Sequence, residues 1–163
     1  MVQAPGAGLS AVATPSERLA ELGITLPAVS APAGVYVPAR RAGSLVFTAG
    51  QVPIVDGKLA AVGKVGAEVD TDEAYRMARI CALNALAAVD ALVGIDSVAG
   101  VVKVVGFVAS APGFTDQPEV INGASEVLGE IFGDGHARSA VGVAELPRGV
   151  PVEVELVVEL AAS

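Results

Sequence analysis

The sequence predicts an α+β sandwich in which helices cover one face of a mixed or antiparallel β-sheet. Two long segments, residues 70–93 and 115–132, carry apolar residues at helical spacing. Two others, residues 97–110 and 152–160, are rich in the β-branched residues that are typical of buried strands. Each long helix is followed by a sheet element, which favours helices that lie together on one face of the sheet.

The N-terminal region predicts a tail, a short helix and a connector. Residues 1–13 are rich in Ala, Gly and Pro and predict a mobile tail. Thr14 and Glu17 form a capping box around Pro15, so a helix is expected over residues 14–23, and the prolines that follow predict an extended connector. We therefore divide the chain into a tail (1–13), a helix with its connector (14–33) and a single domain (34–163).

Two turn signals follow this connector. From Val35 the pattern predicts two strands, VYVPARR and LVFTAGQVPI, joined by a turn at residues 42–44. A second turn is expected in DGKL, residues 56–59, because Asp56 and Gly57 suit a positive φ. Both turns predict hairpins in the first half of the sheet.

The two long helices have clear starts, faces and ends. The first begins with a capping box of Asp70 and Glu73 and ends at Gly94, and the second ends at Gly133. Small residues on the first helix allow close packing on a sheet, and we interpret its single cysteine, Cys81, as a packed thiol. The predicted inward residues are Ala78, Ala82, Ala85, Leu86, Val89 and Leu92 in the first helix, and Val120, Val127, Leu128 and Ile131 in the second.

The C-terminal part of the chain, residues 136–160, consists of two apolar runs. Residues 146–149, LPRG, are typical of a type I turn and predict that the runs pair as an antiparallel hairpin.

Composition and charge limit the classes of function. Of the 163 residues, 53% are hydrophobic and only 17% are charged, so we expect a homo-oligomer that buries apolar surface between subunits. The net charge of −8 opposes binding to a phosphate backbone. One cysteine, no basic and apolar leader and no apolar run of about 20 residues predict a cytoplasmic protein without disulfides or membrane helices.

The motifs of several large enzyme classes are missing. His136 is the only histidine, which opposes a multi-histidine metal site, and no zinc-binding spacing occurs. Phosphate-binding glycine loops and the GxSxG nucleophile motif are also absent from the sequence. We therefore expect neither a metal nor a cofactor.

The first C-terminal run contains the most informative pattern. In a strand, Arg138 shares one face with Ala140 and Gly142, which leaves space beside a guanidinium that can hold a carboxylate. The alternative is a structural ion pair with a glutamate of the last strand, where Glu153, Glu155 and Glu159 face away from the packed valines. The pattern does not decide whether Arg138 and Glu153 share a face.

Six sequence blocks together resemble the reactive intermediate deaminase (Rid or YjgF) family, formerly called L-PSP endoribonucleases. The resemblance runs from about residue 34 to residue 160, and its blocks are GVYV (34–37), LVFTAGQVP (45–53), NAL (84–86), VVKVVGFV (101–108), ARSAV (137–141) and LPRGVPVEVE (146–155). It implies a chorismate-mutase-like fold and a homotrimer with sites in the clefts between subunits.

The resemblance also implies roles for individual residues. Arg138 matches the arginine that holds the substrate carboxylate, and Glu153 matches the acid that positions or activates water. Tyr36 and Phe107 match residues in or near the cleft. The pattern alone describes Tyr36 equally well as a strand-packing residue and predicts Phe107 to be a core residue. Ala49 and Gly50 lie in the block that contacts the substrate, with Ala49 in place of the usual serine, and Ala140 replaces a cysteine whose backbone faces the ligand. His136 replaces a proline.

The implied activity is the hydrolysis of reactive enamines and imines, such as 2-aminoacrylate released by pyridoxal-phosphate enzymes, to 2-keto acids and ammonia. One alternative is a non-catalytic trimer that binds small carboxylates, either 2-keto acids or amino acids. Ribonuclease activity is disfavoured because the chain is acidic. A chaperone-like interaction role is compatible with the Ala- and Val-rich composition.

Overall fold

The computed structural model describes residues 11–133 and 135–163 and confirms an α+β fold with a mixed sheet. Helices and strands follow one another in the order that the sequence predicts. Their bounds are α1 Pro15–Glu21, β1 Ala39–Ala42, β2 Leu45–Thr48, β3 Ile54–Val55, β4 Lys58–Leu59, α2 Thr71–Val93, β5 Val98–Ala109, α3 Gln117–Phe132, β6 Ala137–Val143 and β7 Val152–Leu160.

Five strands form the main sheet in the order β1-β2-β7-β5-β6. Strand β5 lies between β7, with which it pairs antiparallel, and β6, with which it pairs parallel. The remaining neighbours in this sheet, β1 with β2 and β2 with β7, are antiparallel. Strands β3 and β4 form a separate two-residue hairpin, with the predicted positive φ at Asp56 and Gly57.

Helices α2 and α3 cover one face of the main sheet, as predicted. The buried side chains of β5 and β7, such as Val104 and Leu156, form one core with the inner faces of both helices. The helices approach closely at Gly123, where an added Cβ would lie 2.8 Å from the carbonyl carbon of Tyr75. Leu92, predicted to face inward, is 46% exposed, because at the end of α2 its neighbour Val93 takes the position that packs against the core.

The N-terminal helix is present and is attached to the body of the protein. Thr14 caps α1 with the predicted capping box. Ser16 donates to Asp96 through both its backbone N–H (2.8 Å) and its hydroxyl (2.6 Å), and Leu19 is buried. Most of the predicted tail, residues 1–10, lies outside the described residues.

The strand predicted from Val35 is wrong in its first half. Regular pairing begins only at Ala39, next to the bond from the N–H of Ala49 to the carbonyl of Pro38 (2.8 Å). Val35 and Val37 are exposed, and residues 33–36 form a bend instead, because β2 ends before it could pair with them. The bend contains Tyr36.

The predicted C-terminal hairpin is also wrong, since β5 separates β6 from β7. After β5, the chain continues through α3 into β6, which pairs with β5 in parallel. Strand β7 pairs along almost the whole other edge of β5. The segment between β6 and β7 therefore connects two strands that are not neighbours in the sheet. Arg148 has a φ of 60°, which a type I turn does not contain.

The sheet face opposite the helices is open and carries apolar side chains beside the charged side chains of Glu153, Glu155 and Glu159. Phe47 of β2 pairs with Val157 of β7, and Phe107 of β5 pairs with Val141 of β6. Phe47 and Val141 are 45% and 43% exposed. We call these four residues the open-face patch. Among residues 11–133 and 135–163, no helix is long and apolar enough to cross a lipid bilayer.

Candidate active site

A cleft of about 430 Å³ lies where the connector, the segment after β2 and the start of β7 meet. Four of the seven residues predicted for the site line it, although they are distant in sequence: Tyr36, Ala49, Gly50 and Glu153. The other lining residues are Ser30, Ala31, Pro32, Ala33, Pro38, Gln51, Val52, Ile54, Pro147 and Arg148.

Glu153 is the acid of this cleft. It is the second residue of β7, and the alternation of the strand turns it away from the helices while Val152 and Val154 are buried. Desolvation by burial, and secondarily the negative charge of Glu155, raise the pKa of the Glu153 carboxyl above its usual value. A carboxyl group of this kind can accept and return a proton at a higher pH than a solvated one.

Gly50 allows the Glu153 carboxyl to lie against the backbone. A Cβ at residue 50 would be 2.9 Å from Cδ of Glu153 and would overlap one carboxylate oxygen. The segment is fixed beside β7 because the N–H of Gln51 donates to Val154 (2.8 Å) and the N–H of Val154 donates to Gln51 (3.0 Å). Gly50 is therefore needed for space.

Asn84 supports the floor of the cleft from the buried side. This residue of α2 is only 4% exposed, and its Nδ2 donates to the carbonyls of Val52 and Ile54, both at 3.1 Å. In the sequence, Asn84 is included only as part of the NAL block and is assigned no role in the site. The signal that could have identified it was one polar residue among the alanines of the inner helix face.

Tyr36 lines the opposite wall. Its hydroxyl accepts a hydrogen bond from the N–H of Ala33 at 3.1 Å, and its ring lies beside Gly34. The phenol therefore holds the end of the connector at the cleft.

Arg148 is a cation in the cleft that sequence reasoning used only as a turn residue. It has a positive φ, which is uncommon for a residue other than glycine and is enriched at functional sites. Among the described residues, no carboxylate lies within ion-pair distance of its guanidinium. Arg148 is thus available to an anionic ligand.

Arg138 lies outside this cleft within one protomer. It pairs with Val104, whose side chain is buried under the helices, whereas Glu153 pairs with Phe107 on the other face. Its guanidinium donates to Oδ1 of Asn122 (2.7 Å), with further bonds to Ser125 (3.1 Å) and the carbonyl of Pro118 (3.4 Å). These acceptors are neutral, so the predicted ion pair with a glutamate of β7 is not present among the described residues.

Ala140 and Phe107 occupy different faces of the sheet. Ala140 packs against the core on the helix side, and the space over the next small residue, Gly142, is taken by Gln117 of α3. Phe107 lies directly opposite Glu153 on the open face but does not line the cleft.

His136 extends the polar cluster around Arg138. Ser125 accepts a hydrogen bond from Arg138, and its Oγ lies 2.9 Å from Nε2 of His136, to which it can donate. Desolvation, and then the positive charge of Arg138, lower the pKa of His136 and favour the neutral ring. The ring thereby helps to orient the serine that holds the guanidinium.

The cleft thus combines apolar walls, one proton-accepting acid and one unpaired cation. A half-buried carboxyl group can activate a water, while a guanidinium can orient an anionic substrate. Cys81 is buried below Glu153 with its Sγ 3.7 Å from the carbonyl of Val152, which confirms the packed thiol. Among the residues that the structure describes, no group of three or more His, Cys, Asp or Glu side chains could hold a metal ion.

Comparison with known proteins connects this architecture to one family. Residues 16–160 match the family model described as "YjgF/chorismate mutase-like, putative endoribonuclease". Protein TCP17 of Trypanosoma cruzi is 44% identical over 147 residues, which cover 88% of this chain and 92% of that protein.

Two solved structures show the same fold. The crystal structure of protein Atu1372 from Agrobacterium tumefaciens, a protein of unknown function, is 43% identical with a TM-score of 0.82, covering 88% of this chain and 91% of its own. Escherichia coli TdcF, solved with bound serine, is 27% identical with a TM-score of 0.62, covering 84% and 96%.

Proposed function

The chain belongs to the YjgF/chorismate mutase-like family, and on this premise we propose that it hydrolyses reactive enamines and imines of the 2-aminoacrylate type to 2-keto acids and ammonia. The observation that carries the proposal is the Glu153 carboxyl, with its raised pKa, in a cleft with mostly apolar walls. Desolvation raises the pH at which a carboxyl group can accept and return a proton.

The reaction needs one water and one proton carrier. An enamine is first protonated at C3 to give the iminium form, in which C2 is electrophilic. Glu153 takes a proton from water as the oxygen bonds to C2, and the electrons of the C=N bond move to nitrogen. Glu153 then returns the proton to nitrogen, and ammonia leaves with the electron pair of the C–N bond as the hydroxyl oxygen forms the C=O bond. The hydroxyl proton passes to the departing ammonia, which gives the 2-keto acid and ammonium. Fixing the imine beside this water supplies much of the acceleration.

The substrate carboxylate needs a guanidinium, for which we propose Arg138 of a neighbouring subunit. Proteins of this family are generally oligomers. Arg138 and Glu153 face opposite sides of the sheet in one protomer, so joint action requires two copies. The open-face patch offers apolar surface for such an assembly, and we propose the homotrimer that the sequence resemblance implies.

The direct test is to generate 2-aminoacrylate in place with a serine dehydratase and to measure how fast keto acid and ammonia appear. We expect the wild-type protein to accelerate hydrolysis, and both Arg138→Ala and Glu153→Gln to abolish most of the acceleration. Arg41→Ala is the matched control, because Arg41 is an exposed arginine at the β1–β2 turn, where its Nε donates to Gly43. Wild-type rates in Arg138→Ala would refute its role as anchor.

A second candidate function is non-catalytic binding of small carboxylates. Escherichia coli TdcF was solved with bound serine, which supports an amino-acid-sized ligand for a related cleft. This candidate predicts saturable binding of amino acids or 2-keto acids that survives Glu153→Gln. It also predicts that the wild-type protein turns over no imine.

Ribonuclease activity, which the family description mentions, receives little support from this chain. The net charge is −8, and neutralising RNA phosphates requires basic residues. We therefore do not propose it.

A further inference from the structure

The apolar wall of the cleft comes from the connector that precedes the sheet. Residues 30–33 line the cleft together with Tyr36, whose hydroxyl accepts from the N–H of Ala33. Upstream, Ile24 and Leu26 pack against the core. The connector is thus attached at both ends, and its helix is in turn held by Asp96.

The cleft is larger than the smallest substrate requires. Its volume of about 430 Å³ lies in the range of about 300–1,000 Å³ that is typical of pockets for drug-sized ligands. 2-Aminoacrylate has six non-hydrogen atoms and would leave more than half of that space to water. Water against apolar walls is unfavourable, so a substrate with an apolar side chain gains binding free energy by displacing it.

The chemistry of the walls indicates which side chain would fit. The connector contributes Ala31, Pro32 and Ala33, and the facing segment contributes Val52 and Ile54. None of these five side chains carries a hydrogen-bonding group, so they complement an aliphatic chain. Glu153 and Arg148 supply the charged groups of the same cleft.

We propose that the connector wall, the part of the cleft formed by residues 30–33, makes this protein selective for 2-imino acids with extended aliphatic side chains. Such substrates are preferred to 2-imino acids that have three carbons in total. The proposal rests on the imine hydrolysis proposed above. It adds that residues 30–33 of the connector, together with Tyr36 just after it, determine the substrate class. Each methylene placed in such a pocket contributes about tenfold or more to the ratio of kcat/KM values.

The test compares imines made in place by an amino-acid oxidase from alanine, 2-aminobutyrate, leucine and methionine, each corrected for its uncatalysed hydrolysis. We expect kcat/KM for the leucine and methionine imines to exceed that for the alanine imine by at least about tenfold. If the alanine imine is processed as well or better, the selectivity is wrong although the hydrolysis stands. If no imine is accelerated, the proposed function itself fails.

A wall substitution provides a second measurement. Ala31→Phe should narrow the cleft and lower kcat/KM for the leucine imine about tenfold more than kcat/KM for the alanine imine. Ala28→Phe is the matched control, because Ala28 is an exposed residue of the same connector that does not line the cleft. Equal losses on both imines in Ala31→Phe would overturn the proposal.

Binding of the keto-acid products separates affinity from catalysis. Calorimetry should show tighter binding of 4-methyl-2-oxopentanoate than of pyruvate to the wild-type protein, and a smaller difference in Ala31→Phe. Equal affinities for the two acids in the wild type would count against the connector wall.

Discussion

Burial of the Glu153 carboxyl group lowers the stability of the fold, and the proposed role of this group in the reaction explains why a buried acid is present. A raised pKa means that folding disfavours the ionised form, so the cost is absent below pH 4.5 and grows as pH rises through the pKa of the folded state. Glutamine keeps the shape of the side chain and removes the charge. At neutral pH, the half-buried charge therefore destabilises the fold while it serves the proposed reaction.

We predict that Glu153→Gln unfolds at the same or a higher temperature than wild type at pH 7, and that this difference shrinks toward pH 4. Its imine hydrolysis should fall by about 10²–10⁴-fold, the usual contribution of general acid–base catalysis. In the wild type, kcat/KM should decrease as pH falls through the raised pKa of Glu153. Thermal unfolding and pH–rate profiles measure these effects. Glu159→Gln, at an exposed position of β7, should change neither.

Gly50 gives a steric prediction at the same site. Gly50→Ala should displace the Glu153 carboxyl, because the new Cβ would overlap it, and activity should fall at least about tenfold while the protein still folds. Gly129→Ala is the control, since a Cβ at this position in α3 meets nothing within 4 Å. It should stabilise the protein by about 0.5–1 kcal/mol. Steady-state kinetics and denaturant unfolding distinguish the two, and wild-type activity in Gly50→Ala would show that the carboxyl position is unimportant.

At the scale of elements, the side chain of Asn84 joins helix α2 to the floor of the cleft. Asn84→Ala should destabilise the protein by about 1–3 kcal/mol, because it leaves two carbonyls of the floor segment without their donor. We also expect KM for imines to rise, since Val52 and Ile54 line the cleft. Asn84→Asp keeps the size but replaces the donor with a negative charge, so it should be at least as damaging. Urea unfolding and KM measurements test this, and an unchanged KM in Asn84→Ala would separate the floor from substrate binding.

The elements of this chain differ in how far local sequence determines them. Capping residues such as Thr14 and Asp70 predicted the starts of α1 and α2, because a helix N-terminus is satisfied by its immediate neighbours. The Asp56–Gly57 turn was also predicted, because both of its residues suit the positive φ that the turn requires. The pairing of β6 with β5 was not, since two apolar runs beside a turn signal are equally compatible with a hairpin. Which strand pairs with which depends on tertiary packing of α3, which local pattern does not contain.

The site shows the same division. Alternation along β7 correctly separated Glu153 from the packed valines, because side chains in a strand point to opposite faces in turn. The relative faces of Arg138 and Glu153 depend on β5, the strand that separates theirs, and could not be read from either run. The sequence pattern did not identify Arg148 as a site residue, because only the path of the segment between β6 and β7 brings it to the cleft. The position of Tyr36 in the cleft likewise results from a bend that the strand pattern concealed.

At the scale of the whole molecule, the two arginines give two different assemblies of the site. If Arg148 anchors the substrate, each protomer contains a complete cleft, because Arg148 and Glu153 line it together. If Arg138 is the anchor, no protomer is complete alone, because its guanidinium points to the helix side of the sheet. Activity should then depend on assembly through surfaces such as the open-face patch.

Mixing two inactive variants distinguishes these assemblies. With a site shared between copies, Arg138→Ala and Glu153→Gln chains that are unfolded together and refolded at equal amounts should recover about a quarter of wild-type activity. The reason is that each cleft has an even chance of containing the intact arginine from one copy and, independently, an even chance of containing the intact acid from another. The separately refolded variants, mixed afterwards without exchange, provide the control and should stay inactive. Co-refolded protein that assembles normally yet recovers nothing would place the complete site within one chain. In that case Arg148→Ala, rather than Arg138→Ala, should weaken substrate binding.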